Sequence, residues 1–585
     1  DTSFSPLKGF PLINKSSGHF VSKNYSTTVL LENGLFFDSN NRIIDISGSR
    51  FFIENSRIKP TPAEILIKAD GGLGSFLDVL NSPPLKLMDR IKQPTNLGKA
   101  EVSGQGIVNI LLKKDLKPDE IFYEVSATAE RFSSDPTNPS FKFTNGSLDF
   151  FANNEFIEIQ GDGLVKNLPV RANFLESIGE GDSKNLEVDF ELSEKALDLF
   201  PIGLPDLKIV GSAPAKLSLK FLENKKVKFN LTSDLDGSEV RYSPLNWVKE
   251  TDEKAELKVS GILGEQLVVD DIFLSSKNLT LNGSALQKQD DKFDVNFSKL
   301  ALREVFDLQL SVKPNSEIVV SGGQLNMQEF LKLPLAINSS EKSAPLSIYL
   351  DELKLYEKQI ITRLTANMDA EGKGDFSGSL NNLASFGGNI TKIEDGYSVQ
   401  AQSNNAGAFV RALGAAKAAD GGTAELSLRH LKNSQGMKGR LKIKNIRLRN
   451  MPALLELLDA ISIVGLLDQL QGPGLVLNEI EADFVNLSDQ IKFERASAFG
   501  PSIGISLEGY YAKATNKLNM QGVLSPLYVV NAIGSIFTRK GEGLLGFNYR
   551  LKGSADRPEV LVNPLSIFTP AIFREIFRRP VPNLE

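Results

Sequence analysis

The 585-residue sequence has no cysteine, two histidines and one tryptophan. Without a thiol, disulfide frameworks, thiolate metal sites and cysteine nucleophiles are excluded. The absence also suits an oxidising compartment, where stray thiols would mispair. His19 and His430 each stand alone among polar strand and turn residues, so both are expected at the surface, away from metal binding or proton transfer. No uninterrupted apolar run reaches the roughly 20 residues of a membrane span. The most apolar stretch, Met451 to Leu470, is broken by Glu456, Asp459 and Asp468. With 66 basic and 72 acidic residues mixed along the chain, the net charge is -6, which argues against a nucleic-acid partner.

What is present is a globular composition, 41% hydrophobic and 24% charged, written in short alternating runs. Leu217, Leu219 and Phe221 share one face of a strand, a Glu-Asn-Lys-Lys turn follows, and Val227, Phe229 and Leu231 return along the next. A period of two around a polar turn is the antiparallel hairpin signal. It recurs at Phe293, Val295 and Phe297, at Leu346, Ile348 and Leu350, at Leu426 and Leu428, at Leu441 and Ile443, and at Ile503, Ile505 and Leu507. A second pattern, a strand running into a short apolar helix, occurs at Ile65 to Leu80, Leu186 to Phe200, Ile318 to Leu331, Ser398 to Leu413 and Leu518 to Ile533, which suggests a repeated module. The longest linker-like stretch is Ser133 to Ser140, so separate globules are not expected. Strands with one apolar face must pair that face with another sheet, close into a barrel, or hold an apolar ligand.

Motifs for chemistry are weak. Gly541-Glu-Gly543-Leu-Leu-Gly546 matches a dinucleotide-binding glycine pattern, but alternating Phe547, Tyr549 and Leu551 follow where a helix is required, so these are turn glycines. The carboxylate pairs Asp234/Asp236, Asp270/Asp271 and Asp290/Asp291 sit in turn-like polar clusters without calcium-loop spacing. No catalytic or metal-binding constellation is found, no cofactor is expected, and the chain does not read as an enzyme. In Pro452 to Leu470, apolar residues including Leu454, Leu458 and Ile461 cover most of a helix circumference, fitting either a core helix or one lining a lipid path. At the end of the chain, extended segments at Leu544 to Lys552 and Glu559 to Val562 lead to Asn563-Pro564 and an amphipathic helix near 564–578. Its Phe568, Phe573 and Phe577 suit either docking on the sheet or a membrane interface.

Several motifs resemble the AsmA-like family of Gram-negative bacteria, most closely its YhdP-like branch. They are Ala406-Gly-Ala-Phe-Val-Arg411-Ala-Leu-Gly414, the stretch from Ala496 through Phe499-Gly500-Pro501 to Ile505, Pro526-Leu-Tyr528-Val-Val-Asn531, and Val562-Asn563-Pro564-Leu565-Ser566. Ile58-Lys59-Pro60 to Pro84-Leu85 and Leu245-Asn-Trp247-Val-Lys249 match more loosely. Asn405, Asn246 and Ala571 depart from the family's usual acidic, glycine and glycine residues. The resemblance implies a periplasmic bridge-like lipid transfer protein that moves phospholipid between membranes. The inner-membrane anchor would lie upstream of Asp1, and the C-terminal end would either cap the groove or meet a membrane, the outer membrane being the candidate.

The expected fold is therefore mainly β: an elongated, twisted antiparallel β-groove of repeated modules with short apolar helices and a C-terminal helical cap. Residues 1–300 form a YhdP-like groove region, and 301–585 an AsmA-like region with helices near 452–470, 527–537 and 564–578. The expected groove lining is Leu217, Leu219, Phe221, Val227, Phe229, Leu231, Val295, Phe297, Leu426, Leu428, Ile503 and Ile505. Leu454, Leu458, Ile461, Phe568, Phe573 and Phe577 are the expected helix-lining or membrane-facing residues. A periplasmic scaffold for outer-membrane protein assembly is the alternative reading. Lipid species, direction of transport and oligomeric state are not encoded in any motif.

Overall fold

The computed structural model describes residues 2–569 except 6–9, 39, 84, 91–93, 115–119, 136–141, 179–182, 198, 200–205, 289–291, 335–343, 357–358, 395, 414–417, 432–435, 527–538 and 556. The chain divides into two compact units, Asp1–Lys292 and Phe293–Glu585. Each is mainly β, and strands adjacent in sequence pair antiparallel through most of it. Among the described residues the one parallel pairing joins Ile318–Asn326 to Leu346–Tyr356.

Alternation in sequence becomes alternation across the sheet, because successive strand side chains point to opposite faces. The hairpin Ala213–Phe221 and Val227–Ser233 sets Leu217 opposite Leu231, Leu219 opposite Phe229, and Phe221 opposite Val227. Its turn is closed by Glu223–Lys225, where Asn224 takes the left-handed conformation that asparagine tolerates well.

Short helices follow several strands. In the first unit, Thr61–Gly72 runs into α1 (Leu73–Leu80), α2 (Leu87–Arg90) comes soon after, and Lys184–Leu192 precedes α3 (Glu194–Leu197). In the second, Ile318–Asn326 runs into α4 (Met327–Phe330) and Gly396–Ser403 precedes α5 (Ala406–Ala412). The helix expected after Lys517–Pro526, near 527–537, lies outside the described residues. Helix α1 packs Val79 and Phe76 against Ile13, Phe36, Ile44, Ile46 and Ala69. Beside it Asp38 accepts from the Arg42 amide at 2.8 Å and Nε at 2.5 Å. Burial alone would raise the Asp38 pKa, but these bonds and those from Ser75 and Asn40 hold it below the ordinary carboxylate value.

Four expectations are corrected. The 452–470 stretch is two helices, α6 (Pro452–Ala460) and α7 (Val464–Gln471), separated where Ser462 turns left-handed at φ 59°. Two short helices can each turn an apolar side inward, which relieves a single helix of apolar residues around most of its circumference. The strand expected from Leu544 begins at Phe547, leaving Leu544 and Leu545 exposed in the approach to it. Asp270 and Asp271 lie inside the strand Val268–Ser275, at a bulge that leaves both exposed, where a turn was expected. His430 is half-buried with Nδ1 enclosed and no hydrogen-bond partner among the described residues, because Gly396 (φ 135°) lets the backbone approach its ring. His19, in contrast, is exposed beside Glu32 at 2.9 Å. Asp234 accepts from the Asp236 amide at 3.1 Å in a turn, and Asp290/Asp291 lie outside the described residues.

Candidate functional site

The registers assemble one feature in each unit: a sheet face that is apolar from strand to strand. In the first unit, Gly104, Ala127, Phe150, Ile159, Phe174, Leu186, Leu219, Phe229 and Gly261 are successive cross-strand partners. The next row on this face runs Val102, Ala129, Leu148, Gly161, Ala172, Val188, Leu217, Leu231 and Val259. Displaced by one residue, on the opposite face, the partners are Ser103, Thr128, Asp149, Gln160, Asn173, Glu187, Ser218, Asn230 and Ser260. A one-residue slip would exchange the faces, so this contrast also pins the register.

The second unit repeats the arrangement. Its apolar row runs Phe297, Leu310, Val320, Ile348, Ala366, Phe376, Gly388, Ala401, Leu426, Leu441, Ala482, Ala496, Leu507, Gly522, Tyr549 and Val562. Behind it lie Asn367, Asp375, Asn389, Gln400, Ser427, Arg440, Asp483 and Arg495.

Glycine has a specific place in these rows. Gly261 is the partner of Phe229, Gly388 of Phe376, Gly439 of Phe484 and Gly522 of Tyr549. A Cβ built on each would meet the facing aromatic side chain, at 3.0 Å at Gly261, 2.7 Å at Gly388 and Gly522 and closer at Gly439, and at Gly261, Gly388 and Gly522 it would meet a backbone carbonyl oxygen of the other neighbouring strand closer still. The rings therefore lie over the neighbouring strand, filling the gap that glycine leaves.

Burial along the rows changes in the second unit. Phe297, Leu310, Ile348, Phe376, Leu426 and Leu441 are half-buried. Further on, helices α6 and α7 cover the face: Leu454, Leu457, Leu458, Leu466 and Leu470 form one core with Ile443, Ile446, Leu475, Ile503, Leu524 and Tyr549. Leu458, Leu470, Ile503 and Leu524 are fully enclosed. Helix α5 lies at one margin of this face, with Asn405 Oδ1 accepting from the Ala408 amide at 3.0 Å and Phe409 against Phe386 at 6.1 Å.

The expected lining residues separate accordingly. Leu217, Leu219, Phe221, Val227, Phe229 and Leu231 share the apolar face of the first unit. Val295 and Phe297 pair with Val312 and Leu310, and Leu426 and Leu428 pair with Leu441 and Gly439. Ile503 and Ile505 lie within or against the helix-covered core, as do Leu454, Leu458 and Ile461. The final helix is described only as a 3₁₀ turn, Pro564–Phe568, capped by Asn563 Oδ1 at 3.2 Å from the Leu565 amide. Phe568 is 81% exposed there, and Phe573 and Phe577 lie outside the described residues. Phe150, Ile159, Phe174, Leu186 and Phe376 belong to the same apolar rows but were not among the expected residues; their strands show the same period of two, but only the register reveals that they align.

The polar face carries its own structure in the second unit. Residues Arg539–Gly543 lie across it: Ser506 Oγ donates to Glu542 Oε1 at 2.6 Å, and the Gly543 amide to Ser525 Oγ at 2.9 Å. Lys540 Nζ reaches Glu481 at 2.7 Å and also contacts Glu479, and Arg539 reaches Glu508 at 3.3 Å. Gly541 is left-handed (φ 84°), and a Cβ there would meet Ile505 O at 2.6 Å, so the glycine-rich motif is a turn that precedes the strand Phe547–Ser554. Hydrogen bonding by Lys540 and Lys442 holds the Glu479 and Glu481 carboxyls below their ordinary value, and Arg440 does the same for Asp483. Tyr549 donates to Ser506 O at 2.8 Å, and its complete burial, with the Glu542 charge, pushes its hydroxyl pKa far up.

Among the described residues no group of three or more histidine or acidic side chains could hold a metal, and no helix is long and apolar enough to cross a membrane. No family model, curated protein or solved structure matches this chain.

Proposed function

We propose that the chain carries phospholipid, holding acyl chains on the apolar face of its sheet while headgroups remain in water, and that it serves transport between the inner and outer membranes across a periplasm. The observation that carries this reading is the unbroken row of apolar partners, such as Phe150, Ile159, Phe174, Leu186, Leu219 and Phe229, backed by a polar row one residue away. A soluble protein that kept such a face half-exposed without an apolar ligand would invite aggregation. The motif resemblance to AsmA-like proteins supports the compartment and the membrane partners.

The mechanism calls for no catalytic group. Each methylene removed from water gains about 0.8 kcal/mol, so an acyl chain stays on a continuous apolar surface and does not cross the aqueous gap alone. Movement along the surface requires successive sites of near-equal affinity. Rows of Leu, Ile, Val, Phe, Ala and Gly suit that requirement, because they offer apolar surface at every step and no polar group that would hold a chain at one of them.

The test is transfer of a fluorescent phospholipid from donor to acceptor vesicles by the purified chain. Accelerated transfer that scales with protein concentration is expected. A protein that neither binds nor transfers phospholipid, and instead holds an unfolded outer-membrane protein, would replace this reading with the scaffold alternative.

A further inference from the structure

The half-buried and sealed parts of the apolar face in the second unit differ in what they can hold. Helices α6 and α7 are an insertion between two paired strands, Met437–Arg449 and Leu475–Asn486, whose register closes at Leu448 opposite Leu475. The chain leaves the sheet at Asn450 (φ 48°) and returns at Gly474 (φ 99°), both left-handed. Asn450 also donates its amide to Leu470 O at 3.1 Å, tying the end of α7 back to the point of departure. The insertion interrupts no strand pairing, yet Leu454, Leu457, Leu458, Leu466 and Leu470 are all below one-tenth exposed on the face it covers. Upstream, Phe297, Ile348 and Phe376 belong to the same row and remain half-buried.

We infer that the lipid path leaves the sheet ahead of the α6–α7 insertion, and that the strands from Leu475 to Asn563 form a sealed end piece. This rests on the lipid-carrying reading above and adds where the path ends. Five enclosed leucines would have to be exposed each time an acyl chain entered the covered part. That exposure is comparable to the stability of a whole domain, so entry cannot be a routine step of transfer. The 3₁₀ turn Pro564–Phe568, beyond the sealed strands, is then not the point of lipid release. The path ends instead near Leu426 and Leu441: from Leu441 on, the row packs against the helix-covered core, and Ala482 and Tyr549 are buried.

The cysteine-free chain, with p-benzoylphenylalanine replacing Leu219, Phe376 or Leu507 in turn, tests this by photocrosslinking to radiolabelled phospholipid in vesicles. All three positions are half-buried members of apolar rows, so the probe is accommodated at each. Adducts are expected at Leu219 and Phe376, with labelling at Leu507 lower by roughly an order of magnitude. Replacing residues 450–474 by a short turn should raise labelling at Leu507 to the Phe376 level. Equal labelling at Phe376 and Leu507 in the intact chain overturns the sealed end, whether or not the shortened chain folds. Adducts at none of the three positions would instead overturn the lipid-carrying reading itself.

Discussion

Leu219→Asp places a charge in the middle of the first unit's apolar row, between Leu186 and Phe229. Because Leu219 is half-buried, the new carboxylate keeps part of its hydration, and the fold should lose only about 1–2 kcal/mol. The cost to a passing acyl chain is larger. Strands lie about 4.8 Å apart, so a hydrated carboxylate denies the surface to roughly three or four methylenes, a loss near 3 kcal/mol. At about 1.4 kcal/mol per factor of ten, transfer should slow on the order of 100-fold. Asn230→Asp introduces the same charge on the polar face, where Asn230 is exposed between Ser218 and Ser260, and should leave transfer unchanged. The assay is vesicle-to-vesicle transfer, with circular dichroism and thermal unfolding to verify the fold. Wild-type transfer by folded Leu219→Asp protein would refute the claim that acyl chains travel over this row.

Other perturbations probe what holds the two faces in place. Leu458→Ala removes an enclosed side chain from the helix-covered core and should cost about 2–5 kcal/mol, read by denaturant unfolding; a change below about 1 kcal/mol would mean that α6 is not docked as described. Gly388→Val drives a branched side chain into the Gln400 carbonyl and the Phe376 ring, and because the backbone must shift, the variant should be destabilised by at least about 1–3 kcal/mol, a result contradicted by an unchanged denaturation midpoint. Asp38→Ala leaves Arg42 Nε and the amides of Asn40 and Arg42 beside α1 without their acceptor, while the guanidinium keeps Asp78, for an expected loss of about 2 kcal/mol; hydrogen exchange in α1 should accelerate, and unaltered protection would count against the anchoring role. Glu479, Glu481 and Asp483 have depressed carboxyl pKa values, so their stabilisation is present above the ordinary carboxylate value and is lost as pH falls through the lower folded values. Thermal stability should therefore drop from pH 5 toward pH 3, and the Glu479→Gln/Glu481→Gln variant should show a shallower drop; parallel curves would exclude the cluster as the source.

The β architecture was legible because a period of two survives in single strands, as at Leu217, Leu219 and Phe221. Strand-to-helix transitions such as Thr61–Gly72 into α1 were legible for the same reason: the period switches within a few residues. Register was not, since it depends on partners brought from elsewhere, and with it went the alignment of Phe150, Ile159 and Phe174 with Leu219. Local conformation was hidden too. Ser462 splits an apolar run that composition alone presents as one helix, and the bulge at Asp270 and Asp271 imitates a turn in sequence because both side chains face water. The strap Arg539–Gly543 was missed because its partners, Glu479, Glu481 and Ser506, are distant in sequence.

The most direct test of lipid carriage is mass spectrometry of the lipids that remain with the full chain after detergent-free purification. Phospholipid should co-purify in stoichiometric amount and fall sharply in Leu219→Asp but not in Asn230→Asp. Lipid-free protein, or lipid content unaffected by a charge at Leu219, would contradict the account.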